Sequence, residues 1–399
     1  MNASLRYLFF AFLKIGSTSW GGFMSLIAVI QKQLTEKDKK VNNETLAEAI
    51  SLASVLPGPI AVNVVAYLGY KLKGWKGALI SIAAIVLPSF IFMMLLSDMY
   101  LRYGNIPALR GFFTGVMPAV AAIIISVAFG MAKKNITDLY QVLIAVVAGV
   151  IVFLSKSYFS TLLILIGGGL AGYLLYRNKE VLLKTGDTGE TIASNPGRRN
   201  TVVIIAAALF ILIVLSFSIK AFFFNNLNIQ YKIFSTFFSI SVTQFGGGYV
   251  IIPSLQKAIV SSSEWLSNKE FTDAIAMSQV TPGPIFIIAT FIGYKLAGFA
   301  GALNATVSVF LPAAVLMVLC SHYFNRIKKS TFITAAFKGI RPVIVGMIFS
   351  AAVTILTGIE FSIEAAAIFL LSVIAVVWKN LSPVYLVPLA GAIGMFIFK

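Results

Sequence analysis

The chain has 399 residues, 59% of them hydrophobic and only 11% charged, where a soluble domain carries about 25% charged residues. The net charge is +17, from 31 Lys and Arg against 14 Asp and Glu, and the basic residues fall mostly in loops between apolar runs, the pattern of cytoplasmic loop charge. With no basic, aromatic-interleaved soluble stretch, nucleic-acid binding is excluded. A lone cysteine (Cys320) and a lone histidine (His322) exclude an internal disulfide and give no basis for a metal, a cofactor or a membrane-embedded enzyme.

Apolar runs of about 18–25 residues recur along the chain, the length that crosses a bilayer core as a helix. They are continuous, unlike the ~10-residue alternating segments of a barrel, so the fold class is an all-α polytopic membrane protein. Helices are predicted over 5–30, 46–70, 75–98, 109–132, 138–155 and 158–177. The first carries Lys14 at its middle and no small-residue cleavage pattern, so it reads as a membrane helix and not as a cleaved leader. A polar stretch from Arg177 to Asn200 then reads as a cytoplasmic linker. Seven more helices follow, over 201–219, 231–256, 269–294, 298–321, 332–357, 361–378 and 381–398, for about 13 segments in all.

An internal repeat organises these segments. Trp20-Gly21-Gly22 recurs as Phe245-Gly246-Gly247, 225 positions on, and at the same offset Pro57-Gly58-Pro59 recurs as Pro282-Gly283-Pro284. After a one-residue deletion, Gly69-Tyr70-Lys71 matches Gly293-Tyr294-Lys295, Gly74 matches Gly298, and Pro88 matches Pro312. The shared residues are mainly Gly and Pro, so backbone geometry is what repeats. The expected division is a first six-helix repeat over 1–177, a linker over 178–200, an unpaired helix over 201–219 and a second repeat over 220–399. Equivalent segments stand seven apart. If every segment crosses, the repeats are inverted, a recurrent transporter architecture; if the Pro-Gly-Pro segments re-enter, 11 segments cross.

Proline lacks an N–H and disfavours helix in the residue before it, and glycine accepts positive φ. Each Pro-Gly-Pro is therefore expected to break its segment into half-helices. Pro59 and Pro284 suit the first position of the second half. The following amides, Ile60 to Val62 and Ile285 to Ile287, would then be free to bind an anion. The glycine pairs Gly21-Gly22 and Gly246-Gly247 permit close packing or an unwound turn, and Thr18, Ser19, Thr243 and Gln244 just before them offer side-chain donors. Glu48 and Asp273 each lie nine residues before a Pro-Gly-Pro, about 14 Å along a helix. They are candidates for proton coupling or ordinary first-turn acids. Lys32 and Lys257, Lys71 and Lys295 match in register, as entrance residues or interfacial anchors. Lys14 sits in an apolar run with no evident acid partner.

Leu13 to Gly22, the doubled Pro-Gly-Pro and the Gly-Tyr-Lys-x3-Gly-x2-Gly-Ala signature together resemble the chromate ion transporter family in its long, two-halved form. The resemblance covers nearly the whole chain. It implies a multi-pass protein of the plasma (inner) membrane, antiparallel halves, and export of the chromate oxyanion driven by the membrane potential or a proton gradient. It marks Gly21, Gly22, Pro57, Gly58, Pro59, Gly246, Gly247, Pro282, Gly283 and Pro284 as motif residues. Trp20 stands where relatives usually show Phe, and Phe23 and Gly248 where a proline is common. A sulfate-like anion importer or another inorganic anion carrier stays open as an alternative, because sulfate and chromate are tetrahedral dianions of similar size. A channel and a homo-oligomer also stay open.

Overall fold

The computed structural model describes residues 3–19, 23–103, 106–155, 158–187, 228–245, 248, 251–321, 331–359, 362–379 and 381–398. All regular structure in them is helical. In chain order the helices are α1 (Leu5–Thr18), α2 (Phe23–Ile30), α3 (Asn43–Ala53), α4 (Ile60–Tyr103), α5 (Pro107–Asn135), α6 (Leu139–Leu154) and α7 (Tyr158–Asp187). In the second half they are α8 (Ile229–Thr243), α9 (Ile251–Leu255), α10 (Asn268–Val280), α11 (Ile288–Ser321), α12 (Thr331–Thr357), α13 (Ile363–Lys379) and α14 (Pro383–Ile397). Among the described residues four stretches, Ile60–Tyr103, Pro107–Asn135, Ile285–Ser321 and Thr331–Thr357, are long and apolar enough to cross a membrane. Helix α7 runs on to Asp187, into the predicted linker. The helix expected over 201–219, the rest of the linker and His322 lie outside the described residues.

The repeat is visible in the backbone. Helix α2 ends in a π-helical turn, Gln31–Lys37, and α9 in another, Gln256–Ser262, at the same 225-residue offset. Lys39 and Glu264, equally spaced, share positive φ (48° and 52°). Helices α4 and α11 each break once, at Lys73-Gly74 and at Ala297-Gly298, with matching glycine φ values of 60° and 59°.

Those breaks are turns, not kinks. A Cβ placed on Gly69 would lie 2.6 Å from the Gly77 carbonyl oxygen, although eight residues of straight helix span about 12 Å. In the second repeat the hydroxyls of Thr290 and Thr306 are 2.7 Å apart across sixteen residues. The two limbs of each helix therefore lie antiparallel, with glycines letting the backbones touch.

The segments expected over 46–70 and 269–294 also fold back. Tyr67 donates to Glu48 at 2.9 Å, where an uninterrupted helix would hold them about 28 Å apart. Lys295 bridges Glu270 at 2.5 Å, again across the Pro-Gly-Pro. Each is a helical hairpin with Pro-Gly-Pro at its tip. The segment expected over 5–30 is likewise split: α1 ends at Thr18, and the Tyr7 hydroxyl at its start donates to Asp38, beyond the π-turn. Helix α1 has 14 residues, about 21 Å, short of the roughly 30 Å hydrocarbon core.

The other helices clasp the repeats together. Helix α5 packs against α13 and α14, and α12 packs against α6 and α7. Small residues make these crossings close. A Cβ on Gly115 would lie 2.5 Å from the Ala390 carbonyl oxygen, and one on Gly172 would lie 2.7 Å from that of Ala335. Outward faces carry Leu139, Leu154, Leu174, Trp378 and Phe396, all strongly exposed, as lipid contact requires.

Candidate functional site

Each hairpin tip is buried against the other repeat. The Gly58 amide donates to the Gln244 carbonyl at 2.6 Å, and the Gly283 amide donates to the Ser19 carbonyl at 2.8 Å. At the repeat offset Gly58 matches Gly283 and Ser19 matches Gln244, so these are the same contact made twice. Each Pro-Gly-Pro tip of one repeat thus rests on the end of the first helix of the other. Gly58 and Gly283 have φ of 99° and 105°, a conformation costly for any residue with a Cβ. Space excludes a side chain as well: a Cβ on Gly58 would collide with the Ala313 methyl, and one on Gly283 with the Ser89 hydroxyl. Ala313 and Ser89 are themselves equivalent positions.

The two junctions differ in their polar groups. At Gly283, Ser89 donates to the Pro282 carbonyl at 2.5 Å, and Ser19 donates to Ile15 O of its own helix at 2.6 Å. At Gly58, Asn63 Nδ2 donates to the Pro57 carbonyl at 2.9 Å, and Gln244 Nε2 donates to Ser254 Oγ at 2.6 Å. Asn63 Oδ1 and Gln244 Oε1 are buried without a hydrogen-bond partner. Their side chains are 0% and 2% exposed.

The expected anion donors are largely engaged. Thr18 and Thr243 return their hydroxyl protons to Lys14 O and Ser239 O, at 2.9 and 2.7 Å. Such back-bonding to the carbonyl one turn earlier occupies a helical threonine's proton locally. The Ile287 amide, expected to be free, donates to Pro284 O at 3.0 Å because a 3₁₀ turn opens that limb. Ile60, Ala61 and Val62 occupy a first helical turn, where amides lack intrahelical acceptors; Ile285 and Phe286 stand likewise before α11. Pro57, Pro59, Pro282 and Pro284 are buried at the tips. Gly21, Gly22, Gly246 and Gly247 lie outside the described residues.

The paired acids occupy equivalent places with unequal surroundings. Asp273 is 1% exposed and accepts from Tyr100, on the other repeat, at 2.7 Å; its Oδ1 has no partner. Glu48 is half-buried and is held by Tyr67 of its own hairpin. Where Tyr67 stands in the first repeat the second has Phe291, and Tyr100 packs on that ring at 5.5 Å, supplying the missing hydroxyl from across the interface. Tyr294 likewise donates to Asp98 near the far end of α4, at 3.0 Å.

The basic residues separate. Lys32 is exposed, and Lys71 lies 5.4 Å above the Tyr67 ring. Lys257 donates to the Ser155 carbonyl, and Lys295 is the Glu270 partner. On α1, Lys14, Ser17 and Thr18 form an exposed face, whereas the equivalent Ser239, Val242 and Thr243 of α8 are buried. Among the described residues no cluster of His, Cys, Asp and Glu could hold a metal ion.

Sequence reasoning misses Tyr67, Tyr100, Ser89 and Asn63. Asn63 carries a signal, as the one amide in an otherwise apolar run from Ile60 to Leu68. Tyr100 and Ser89 act across the repeat interface, where spacing along the chain carries no information.

The profile described as chromate transporter matches residues 6–173 and 231–395. A chromate transport protein of Cupriavidus metallidurans is 29% identical over 98% of this chain and 93% of its own. A probable chromate transport protein of Synechococcus elongatus is 31% identical over 94% and 90%. An uncharacterised transporter of Methanocaldococcus jannaschii is 27% identical over 99% and 95%. No solved structure matches.

Proposed function

The chain belongs to the chromate transporter family, and from that premise we propose that it is a secondary active transporter exporting chromate across the plasma (inner) membrane, conferring chromate resistance. The observation that carries the reading is the reciprocal pair of tip contacts, Gly58 to Gln244 and Gly283 to Ser19. Pseudo-symmetric broken helices meeting within the membrane are where carriers place their substrates. Irregular backbone at such depth is tolerated where it is buried in protein or lines a cavity.

In this reading the oxyanion lies between the tips. It takes hydrogen bonds from the first-turn amides of Ile60 to Val62 and of Ile285 and Phe286, which carry the positive ends of their helices. The motif glycines Gly21, Gly22, Gly246 and Gly247 belong to the proposed binding motif. Thr18, Ser19, Thr243 and Gln244 shape the cradle, and their side chains must turn before they can donate to the anion. The exposed face of Lys14, Ser17 and Thr18 is the approach. A lysine turned to hydrocarbon is expensive, so this face suits a water-filled crevice open in this conformation, its counterpart on α8 being closed. Lys32, Lys71, Lys257 and Lys295 sit farther out. Asp273 and Glu48 are the carboxylates that would carry coupling protons.

We also propose that the repeats are inverted. The start of the long limb of α4 adjoins the base of the Gly58 hairpin, Ser89 meets the Gly283 tip, and Tyr100 meets the far part of the Gly283 hairpin. Hairpins entering from opposite faces account for that order along one helix. The Pro-Gly-Pro segments would then re-enter instead of crossing.

The test is chromate uptake into everted membrane vesicles, with and without a proton gradient and with excess sulfate. Gradient-dependent accumulation is expected, and its absence from vesicles shown to contain the protein would sink the chromate reading. Sulfate accumulation into right-side-out vesicles, with no chromate movement in everted ones, would favour the importer alternative.

A further inference from the structure

We infer that the Gly58–Gln244 junction binds a monovalent cation of the sodium type through Asn63 Oδ1 and Gln244 Oε1. The two tip junctions are built on the same backbone contact, yet among the described residues that touch the tip glycines, Asn63 and Gln244 alone keep a buried side-chain oxygen without a donor. The Gly283 junction closes its polar groups internally, through Ser19 to Ile15 O and Ser89 to Pro282 O. The polar side chains are also absent there. Ser19 replaces Gln244, Val29 replaces Ser254, and the position of Asn63 falls on Ile287 or Ile288 in either register of the repeat.

Asn63 and Gln244 both border Gly58, one through its side-chain nitrogen and the other through its backbone. The Gly58 amide bonds the Gln244 backbone, and a Cβ on Gly58 would lie 3.5 Å from Asn63 Nδ2. The Asn63 amide is oriented by the Pro57 carbonyl, which accepts from Nδ2 and so turns Oδ1 away. A buried oxygen without a donor is costly, and side chains that could be replaced by the apolar or self-satisfied residues of the other junction are expected to have a ligand.

The chemistry of the two oxygens narrows that ligand. In this orientation an anion does not fit, because both oxygens only accept and both amide nitrogens are engaged, Asn63 Nδ2 with Pro57 O and Gln244 Nε2 with Ser254 Oγ. A coupling proton is excluded, because a side-chain amide is not a base in the ordinary pH range. A divalent cation calls for carboxylate ligands, and the carboxylates of Glu48 and Asp273 are held by tyrosines nine residues from the tips. A neutral donor such as water, or a monovalent cation, is left. Electrostatics favours the cation. Gln244 caps the C-terminus of α8, where the helix carries about half a negative charge. Half-helix C-termini with unwound carbonyls are the cation-coordinating elements of transporters with broken helices. A cation here would also offset the charge of an oxyanion held at the neighbouring helix N-termini.

The experiment is thermal unfolding of the purified full chain in detergent, read by a thiol-reactive dye on the single, buried Cys320. Sodium chloride is titrated against choline chloride at constant ionic strength, with no oxyanion present. The expected result is a midpoint that rises with the logarithm of sodium concentration above its Kd and does not respond to choline. That rise is lost in Asn63→Leu and in Gln244→Ser. The second substitution installs the residue the other junction already uses, so it folds even if the first does not. A midpoint indifferent to sodium, an equal rise in choline, or an undiminished sodium response in Gln244→Ser would each overturn the assignment and leave water as the occupant. Because the measurement involves no oxyanion, its outcome is separable from that of the chromate experiment.

Discussion

Substituting Gly58 with alanine separates the two reasons for a glycine at the tip. The added methyl collides with the Ala313 side chain, and the backbone must hold φ at 99°. Residues forced into such regions cost about 1–3 kcal/mol. Overpacking a closed site costs a further ~1–3 kcal/mol. The single variant should therefore lose about 2–6 kcal/mol, and the Gly58 amide should be displaced from Gln244. Adding Ala313→Gly removes the collision and leaves the backbone term. The double variant should recover part of the loss and remain about 1–3 kcal/mol below the parent. Cys320 reports unfolding in both, and transport into vesicles reports the tip. A neutral Gly58→Ala would refute the tip geometry. Full recovery in the double variant would mean that the positive φ imposes no requirement.

Tyr100→Phe should be the costlier of the two tyrosine deletions. It strips the buried Asp273 of its donor, a loss of about 1–3 kcal/mol. Tyr67→Phe at half-buried Glu48 should cost under ~1 kcal/mol, since Phe291 already fills the equivalent place; equal effects on the melting midpoint would contradict the asymmetry. Ser89→Ala gives its junction the side chain found at Ala313 and should cost ~0.5–1.5 kcal/mol through the orphaned Pro282 carbonyl, checked by the same melt. Cysteines at Gly74 and Gly298, in a Cys320→Ala background, should react with an impermeant reagent from opposite sides of the membrane. Neither glycine has an atom within 4 Å of an added Cβ, so a thiol finds space at both, at a backbone cost of about 1–3 kcal/mol for their positive φ of 60° and 59°; labelling from one side would refute inverted repeats.

The helical class, the membrane setting and the two-fold repeat are legible in the amino-acid sequence, because each rests on local or periodic facts. Long apolar runs permit only helices in lipid, and doubled Gly-Pro motifs break a backbone wherever they occur. The breaks at Pro57-Gly58-Pro59 and Pro282-Gly283-Pro284 are legible for the same reason. What a break does next is not local. The same two half-helices can continue across the membrane or turn back, and the bonds that close the hairpins, Tyr67 to Glu48 and Lys295 to Glu270, join residues whose separation along the chain says nothing of their distance in space. The donors assigned to Thr18 and Thr243 illustrate the same limit, since a helical hydroxyl serves either a ligand or the carbonyl one turn earlier, and only the packed structure chooses. The unequal junctions, and the Tyr100 hydroxyl that replaces one absent from Phe291, arise because two repeats of like backbone and unlike side chains face each other. Their contacts are set by what the partner presents, which no reading along one repeat contains.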